Sequence, residues 1–153
     1  MTTIAVLGTG RIGKMHAEII TQQIDGLDVA AVYDVYAEGA QAVADSISCS
    51  RADTVEEIMS SDVDAVAICS STDTHVELAV AAAEAGKAIF LEKPVSLNLA
   101  EIDRAVVAVE AAGVPIHIGF NRRFDAAHAA VQEAAASGAL GDLHLLKLSL
   151  IHI

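Results

Sequence analysis

Glutamate and lysine stand side by side in Glu92-Lys93-Pro94, directly after the apolar run Ala88 to Leu91. A strand of that kind delivers a carboxylate and an amine at its C-terminal end, the edge where open α/β sheets bind ligands. An amine placed there can hydrogen-bond a substrate hydroxyl and take up its proton as hydride departs, more readily where partial burial favours the neutral form. The alternative is a solvated lysine paired with Glu92. Pro94 fixes the turn and is a candidate for a cis peptide bond.

A hydride acceptor is implied near the N-terminus. Gly8-Thr9-Gly10-Arg11-Ile12-Gly13 has the GxGxxG spacing, a weak signal alone, but it joins the strand-like Thr3 to Leu7 to an amphipathic stretch from Ile12 to Ile20. Gly8 suits the tight turn, Gly10 lets the backbone approach a pyrophosphate, and Gly13 permits close packing of helix on strand. The N–H groups at the helix start, around Arg11 and Ile12, then face the phosphates. Asp34 ends the next apolar run, Val29 to Tyr33, about 20 positions further on, where a carboxylate accepts hydrogen bonds from the adenosine ribose. It would repel a 2′-phosphate, and Val35 and Tyr36 offer no guanidinium to attract one, so NAD is favoured over NADP. Capping of the following turn is the structural alternative for Asp34.

Two further polar clusters follow apolar runs. Ser70-Ser71-Thr72-Asp73-Thr74-His75 comes after Ala65 to Cys69, and Thr74 there is a possible cap for the next helix. His75 lacks a second ligand at i+4, and no metal site is expected. Asn121-Arg122-Arg123 comes after Ile116 to Gly119; adjacent arginines can hold a carboxylate, a phosphate or a partner subunit, or form internal salt bridges. His16 and His117 read as structural, and His128, on a helix surface, is given no role.

The elements that must position these residues alternate in the manner of repeated βα units. Strands are predicted at Thr3 to Leu7, Leu27 to Tyr33, weakly Ser48 to Ala52, Ala65 to Cys69, Ala88 to Leu91 and Ile116 to Gly119. Helices are predicted at Ile12 to Gln23, Glu38 to Ser46, Val55 to Ser60, His75 to Gly86, Leu99 to Ala112 and Phe124 to Ser137. Gly86 and Gly113 mark helix ends. The expected fold is α/β, a Rossmann-type doubly wound, mostly parallel sheet. His144 to Leu148 reads as a lone strand that starts a second, truncated α/β domain.

Composition narrows the partners. The 153 residues are 54% hydrophobic but only 3% aromatic, which suits close helix-on-sheet packing more than base stacking. Nine basic and 21 acidic residues give a formal charge of -12, which disfavours nucleic acid. With neither a signal-like N-terminus nor a membrane-length apolar run, a cytoplasmic protein without a membrane partner is expected. Cys49 and Cys69 have no metal or redox spacing and read as buried or loop residues.

Taken together, Gly8 to Gly13 with Met15-His16-Ala17, Ser70 to His75, Glu92-Lys93-Pro94 and Gly119-Phe120-Asn121-Arg122-Arg123-Phe124-Asp125 resemble the Gfo/Idh/MocA family of oxidoreductases over almost the whole chain. The resemblance implies NAD-dependent hydride transfer from a secondary alcohol of a polyol or sugar. It gives Lys93 the catalytic contact with substrate, and it gives cofactor contact to Ser70, Ser71, Thr72, His75, Glu92, Lys93, Pro94, Asn121 and Arg122 alongside Gly8, Gly10, Arg11, Ile12, Gly13 and Asp34. It also implies a second α/β domain that closes the substrate pocket, supports homo-oligomerisation and carries a DxxxH pair whose histidine is the general base. No residues here match that pair.

The expected organisation is therefore an NAD-binding domain over 1–120, a connecting helix and first strand over 121–147, and a non-native tail over 148–153. Leu148-Ser149-Leu150-Ile151-His152-Ile153 is the peptide that a transposon end used in sequencing libraries would encode. Such a fragment is expected to bind NAD weakly and turn over little. The rival readings are a stand-alone NAD(P)-binding regulatory module without catalysis, and an NADP-preferring member of the family, against which Asp34 argues.

Overall fold

The computed structural model describes residues 1–147; the expected tail lies outside the described residues. The chain divides into a unit over Met1–Gly119 and a second that begins at Phe120. The first unit holds strands β1 (Thr2–Leu7), β2 (Leu27–Tyr33), β3 (Ser50–Arg51), β4 (Ala65–Ile68), β5 (Ala88–Leu91) and β6 (Ile116–Ile118). Helices α1 (Arg11–Gln23), α2 (Ala37–Ile47), α3 (Val55–Ser60), α4 (His75–Glu84) and α5 (Leu99–Ala112) connect them. Every pairing is parallel, in the order β3-β2-β1-β4-β5-β6, so the chain reverses direction across the sheet between β1 and β4. This is the doubly wound arrangement the alternating pattern predicts. The weak strand predicted at Ser48 to Ala52 shortens to two residues at the sheet edge, where it pairs with β2.

Side chains alternate between the two faces as a pleated strand requires. Leu7, Val66, Ile68 and Leu91 enter one buried cluster with Ile58, Ala79 and Ala82. Val6, Val32 and Ala67 enter the other with Ala17, Ala40 and Val43. The many alanines thus stand where helix meets sheet, and their small side chains allow a close approach.

The register sets the functional edge. Leu7 pairs with Tyr33 and Ile68, Ile68 with Leu91, and Leu91 with Ile118, so five strands finish in one row. Gly8, Asp34, Cys69, Glu92 and Gly119 follow that row.

At the opposite edge Lys87 is 5% exposed, and its ammonium donates to the carbonyls of Ser61 (2.7 Å) and Val63 (3.0 Å). Lys87→Met leaves those acceptors without their charged donor and is expected to cost about 2 kcal/mol. A lower urea midpoint at unchanged slope, with ligand binding at the far edge intact, is the expected result; an unmoved midpoint would contradict it.

In the second unit a 3-10 turn, Asn121–Phe124, precedes α6 (Ala126–Ala136). The helix starts two residues later than predicted because the Asp125 side chain accepts from the His128 amide and caps it. The His128 ring, and then that amide, hold the Asp125 carboxyl down at about 2. Of the strand expected at His144 to Leu148, residues 144–147 are irregular, with no strand paired to them among the described residues, and Leu148 lies outside the described residues. No helix among the described residues is long and apolar enough to cross a membrane.

Candidate functional site

The glycine segment turns sharply out of β1. Gly8 has φ +94°, and a Cβ there would lie 2.5 Å from the Ser70 nitrogen, so only glycine lets the ends of β1 and β4 approach this closely. A Cβ on Gly13 would sit 1.8 Å from the Gly8 carbonyl oxygen, which fixes how tightly α1 packs on the turn. The inward face of α1, Gly13, Ala17 and Ile20, follows helical spacing.

Gly10 precedes α1 without any side-chain cap, and the first turn, including Arg11 and Ile12, contains no acid. Helices α2 to α5 each carry glutamate in their first turn: Glu38, Glu56 and Glu57, Glu77, and Glu101. The positive end of α1 is therefore left for an external anion.

Asp34 faces this turn. Its Oδ2 accepts from the Thr9 amide (2.6 Å) and hydroxyl (3.1 Å), and its Oδ1 accepts from the Tyr36 amide (2.9 Å). It thus caps the following turn and also ties the glycine segment to β2. Sequence reasoning missed Thr9, the variable residue inside the motif. A carboxylate has about four acceptor positions, so a ribose hydroxyl can still share this one.

Between these ends opens a cleft of about 320 Å³ lined by Gly8, Asp34, Ser70 and Ser71 with apolar Leu7, Val35, Val55 and Leu78. Ser71 to Thr74 closes as a 3-10 turn: the Thr74 amide and hydroxyl donate to the Ser71 carbonyl at 3.0 and 2.8 Å. The Thr74 hydroxyl also meets Ser70 Oγ at 2.7 Å, so it closes this turn and does not cap α4 as the sequence suggested. His75 is 2% exposed; its Nδ1 lies 2.8 Å from the Pro94 carbonyl and its Nε2 3.1 Å from that of Ser70. It is engaged with backbone on both sides and does not line the cleft.

At the end of β5 the Lys93–Pro94 bond is cis. Glu92 does not pair with the neighbouring ammonium: its Oε1 accepts from His16 Nε2 at 2.9 Å and its Oε2 from the Lys93 amide at 3.2 Å. The Lys93 side chain is exposed, so the partial burial expected of it is not found. Cys69 beneath this edge is buried, and burial with the Glu92 charge pushes its thiol up to about 12, which removes it from chemistry.

Asn121 and Arg122 belong to the second unit and are exposed. Arg122 donates to Asp125 at 3.1 Å, the internal salt bridge that was the plainer of its two readings.

A glycine turn opening into an uncapped helix at the sheet's switch point, with an acid on the adjacent strand, defines a dinucleotide-binding domain of Rossmann type. More narrowly, the chain belongs to the Gfo/Idh/MocA family, whose model, described as an oxidoreductase family with NAD-binding Rossmann fold, matches residues 2–120. The chain is 41% identical over 148 residues to a myo-inositol 2-dehydrogenase of Thermotoga maritima, covering 95% of this chain and 44% of that protein. Among solved structures it resembles a putative myo-inositol dehydrogenase from Sinorhizobium meliloti, with TM-score 0.85, 38% identity, and coverage of 92% of this chain and 43% of the other. It also resembles a scyllo-inositol dehydrogenase from Lactobacillus casei with bound NAD(H) and scyllo-inositol, with TM-score 0.87, 26% identity, and coverage of 93% and 43%. The chain thus spans less than half the length of these relatives.

Proposed function

We propose that this chain is the cofactor-binding part of an NAD-dependent dehydrogenase that takes hydride from a secondary alcohol of a polyol or sugar, in the manner of an inositol 2-dehydrogenase. The observation that carries this reading is the single row of strand ends, which brings the glycine turn, Asp34 and Lys93 to one edge. NAD accepts the hydride. The first turn of α1, with Gly8, Gly10 and Gly13, holds the pyrophosphate; Asp34 accepts from the ribose hydroxyls; Val35, Val55 and Leu78 provide an apolar wall for adenine. Ser70, Ser71 and Thr72 border the nicotinamide half. Lys93 hydrogen-bonds the substrate hydroxyl and helps accept its proton, with the general base expected from the second domain. Residues 1–120 act as the NAD domain, and 121–147, with Asn121 and Arg122, lead to a second domain that supplies the substrate pocket and the contacts of a homo-oligomer.

Asp34 provides the test. Calorimetric titration is expected to show tighter binding of NAD than of NADP, because the carboxylate repels a 2′-phosphate. Asp34→Ala is expected to weaken NAD by roughly 2 kcal/mol, about thirtyfold, and to narrow the gap between the cofactors. Equal affinity for NAD and NADP in the unaltered chain would overturn the assignment.

A further inference from the structure

We propose that His16 and His75 are positioning residues that grip the neighbours on either side of Lys93, fixing its backbone while leaving its ammonium free. The inference rests on the role given to Lys93 above and concerns how that role is made possible. On one side, His16 reaches from α1 and donates through Nε2 to the Glu92 carboxylate. Its ring also packs edge-on to Phe90 of β5, with centroids 5.1 Å apart. The other Glu92 oxygen accepts from the Lys93 amide, so the grip passes directly into the lysine backbone. On the far side, the His75 ring at the start of α4 meets the Pro94 carbonyl through Nδ1, which must carry the proton for that bond.

Between these anchors, Lys93 Nζ has no hydrogen bond or ion pair among the described residues. A lysine normally spends its flexibility in solvent. Here the two flanking residues are tied to α1 and α4, the helices that open at the glycine turn and at the Ser70 to Thr74 turn. The backbone from which the amine projects is thereby registered against both parts of the cofactor cleft. Neither histidine needs to touch a ligand to do this.

Paired substitutions separate a hydrogen-bonding role from simple packing. Glutamine can place an N–H near the Nε2 position of His16, and asparagine can place one near the Nδ1 position of His75, whereas leucine donates nothing. Asparagine is smaller than leucine, so a pure packing role ranks His75→Asn as the more damaging change, and the proposed role ranks His75→Leu so.

The experiment measures the backbone 15N order parameter at Lys93 and the NAD affinity of the 153-residue chain. His16→Leu, His75→Leu and their combination are expected to lower the order parameter from about 0.85 towards 0.6. Each is expected to weaken NAD about tenfold, with His16→Gln and His75→Asn closer to the unaltered chain. A Lys93 amide that remains equally ordered in the double leucine variant overturns the proposal, and should that variant not fold, His16→Leu alone decides in the same way. Failure of the unaltered chain to bind NAD would instead remove the proposed function, with the order parameters still deciding the role of the histidines.

Discussion

Replacing Gly13 with alanine is expected to cost the first unit about 3 kcal/mol or more and to abolish saturable NAD binding. The added Cβ would lie 1.8 Å from the Gly8 carbonyl oxygen and 2.9 Å from its carbon, both backbone atoms that no rotamer change can move. Either α1 lifts from the turn or the turn itself opens. Lifting also separates Ala17 and Ile20 from the face they share with Val6, Val32 and Ala67. Opening the turn moves Gly8 off Ser70 and disturbs the Thr9 hydrogen bonds to Asp34. A loss of this size lowers the thermal midpoint by roughly 10 °C in a domain of this length, measurable by circular dichroism. Unaltered midpoint and affinity in Gly13→Ala would show that α1 does not dock on Gly8 as described.

Lys93→Ala is expected to do the reverse: leave stability within about 0.5 kcal/mol and remove turnover. The side chain is exposed and supports no packing, so little is lost from the fold. In the proposed longer protein with a second domain, loss of the proposed lysine contact with the substrate hydroxyl is expected to reduce kcat for inositol oxidation by about 10² to 10⁴-fold. NAD binding by the 153-residue chain should change little, since the glycine turn, Asp34 and the backbone gripped by His16 and His75 are untouched. Steady-state NAD reduction and calorimetry together check this. A Lys93→Ala enzyme with unchanged kcat would place proton transfer elsewhere.

Much of this edge could be read from residue order. The motif glycines, Asp34 and Glu92-Lys93-Pro94 each follow an apolar run, and in a parallel sheet such positions must converge. What could not be read was which polar atoms satisfy one another across the sheet. His16 looked structural because nothing local marks it as the partner of Glu92, 76 positions away. Thr9 was passed over because the motif leaves its position free, yet its amide finds Asp34. For His75 the resemblance implies cofactor contact, and no local pattern shows that its two ring nitrogens lie against the carbonyls of Pro94 and Ser70. At His144 to Leu148 the described residues 144–147 are irregular, because an apolar run becomes a strand only where a neighbour completes its hydrogen bonds.

The row in which five strands finish has a thermodynamic consequence. Its members come from segments between Leu7 and Gly119, so no partly formed hairpin or single βα unit presents the cleft. A ligand spanning that row has affinity for the complete sheet alone, and by mass action it adds about 2.7 kcal/mol to the unfolding free energy at a hundred times its Kd. Occupancy and folding are thus one linked equilibrium, in which cofactor supply sets how much of the chain survives heat or proteolysis.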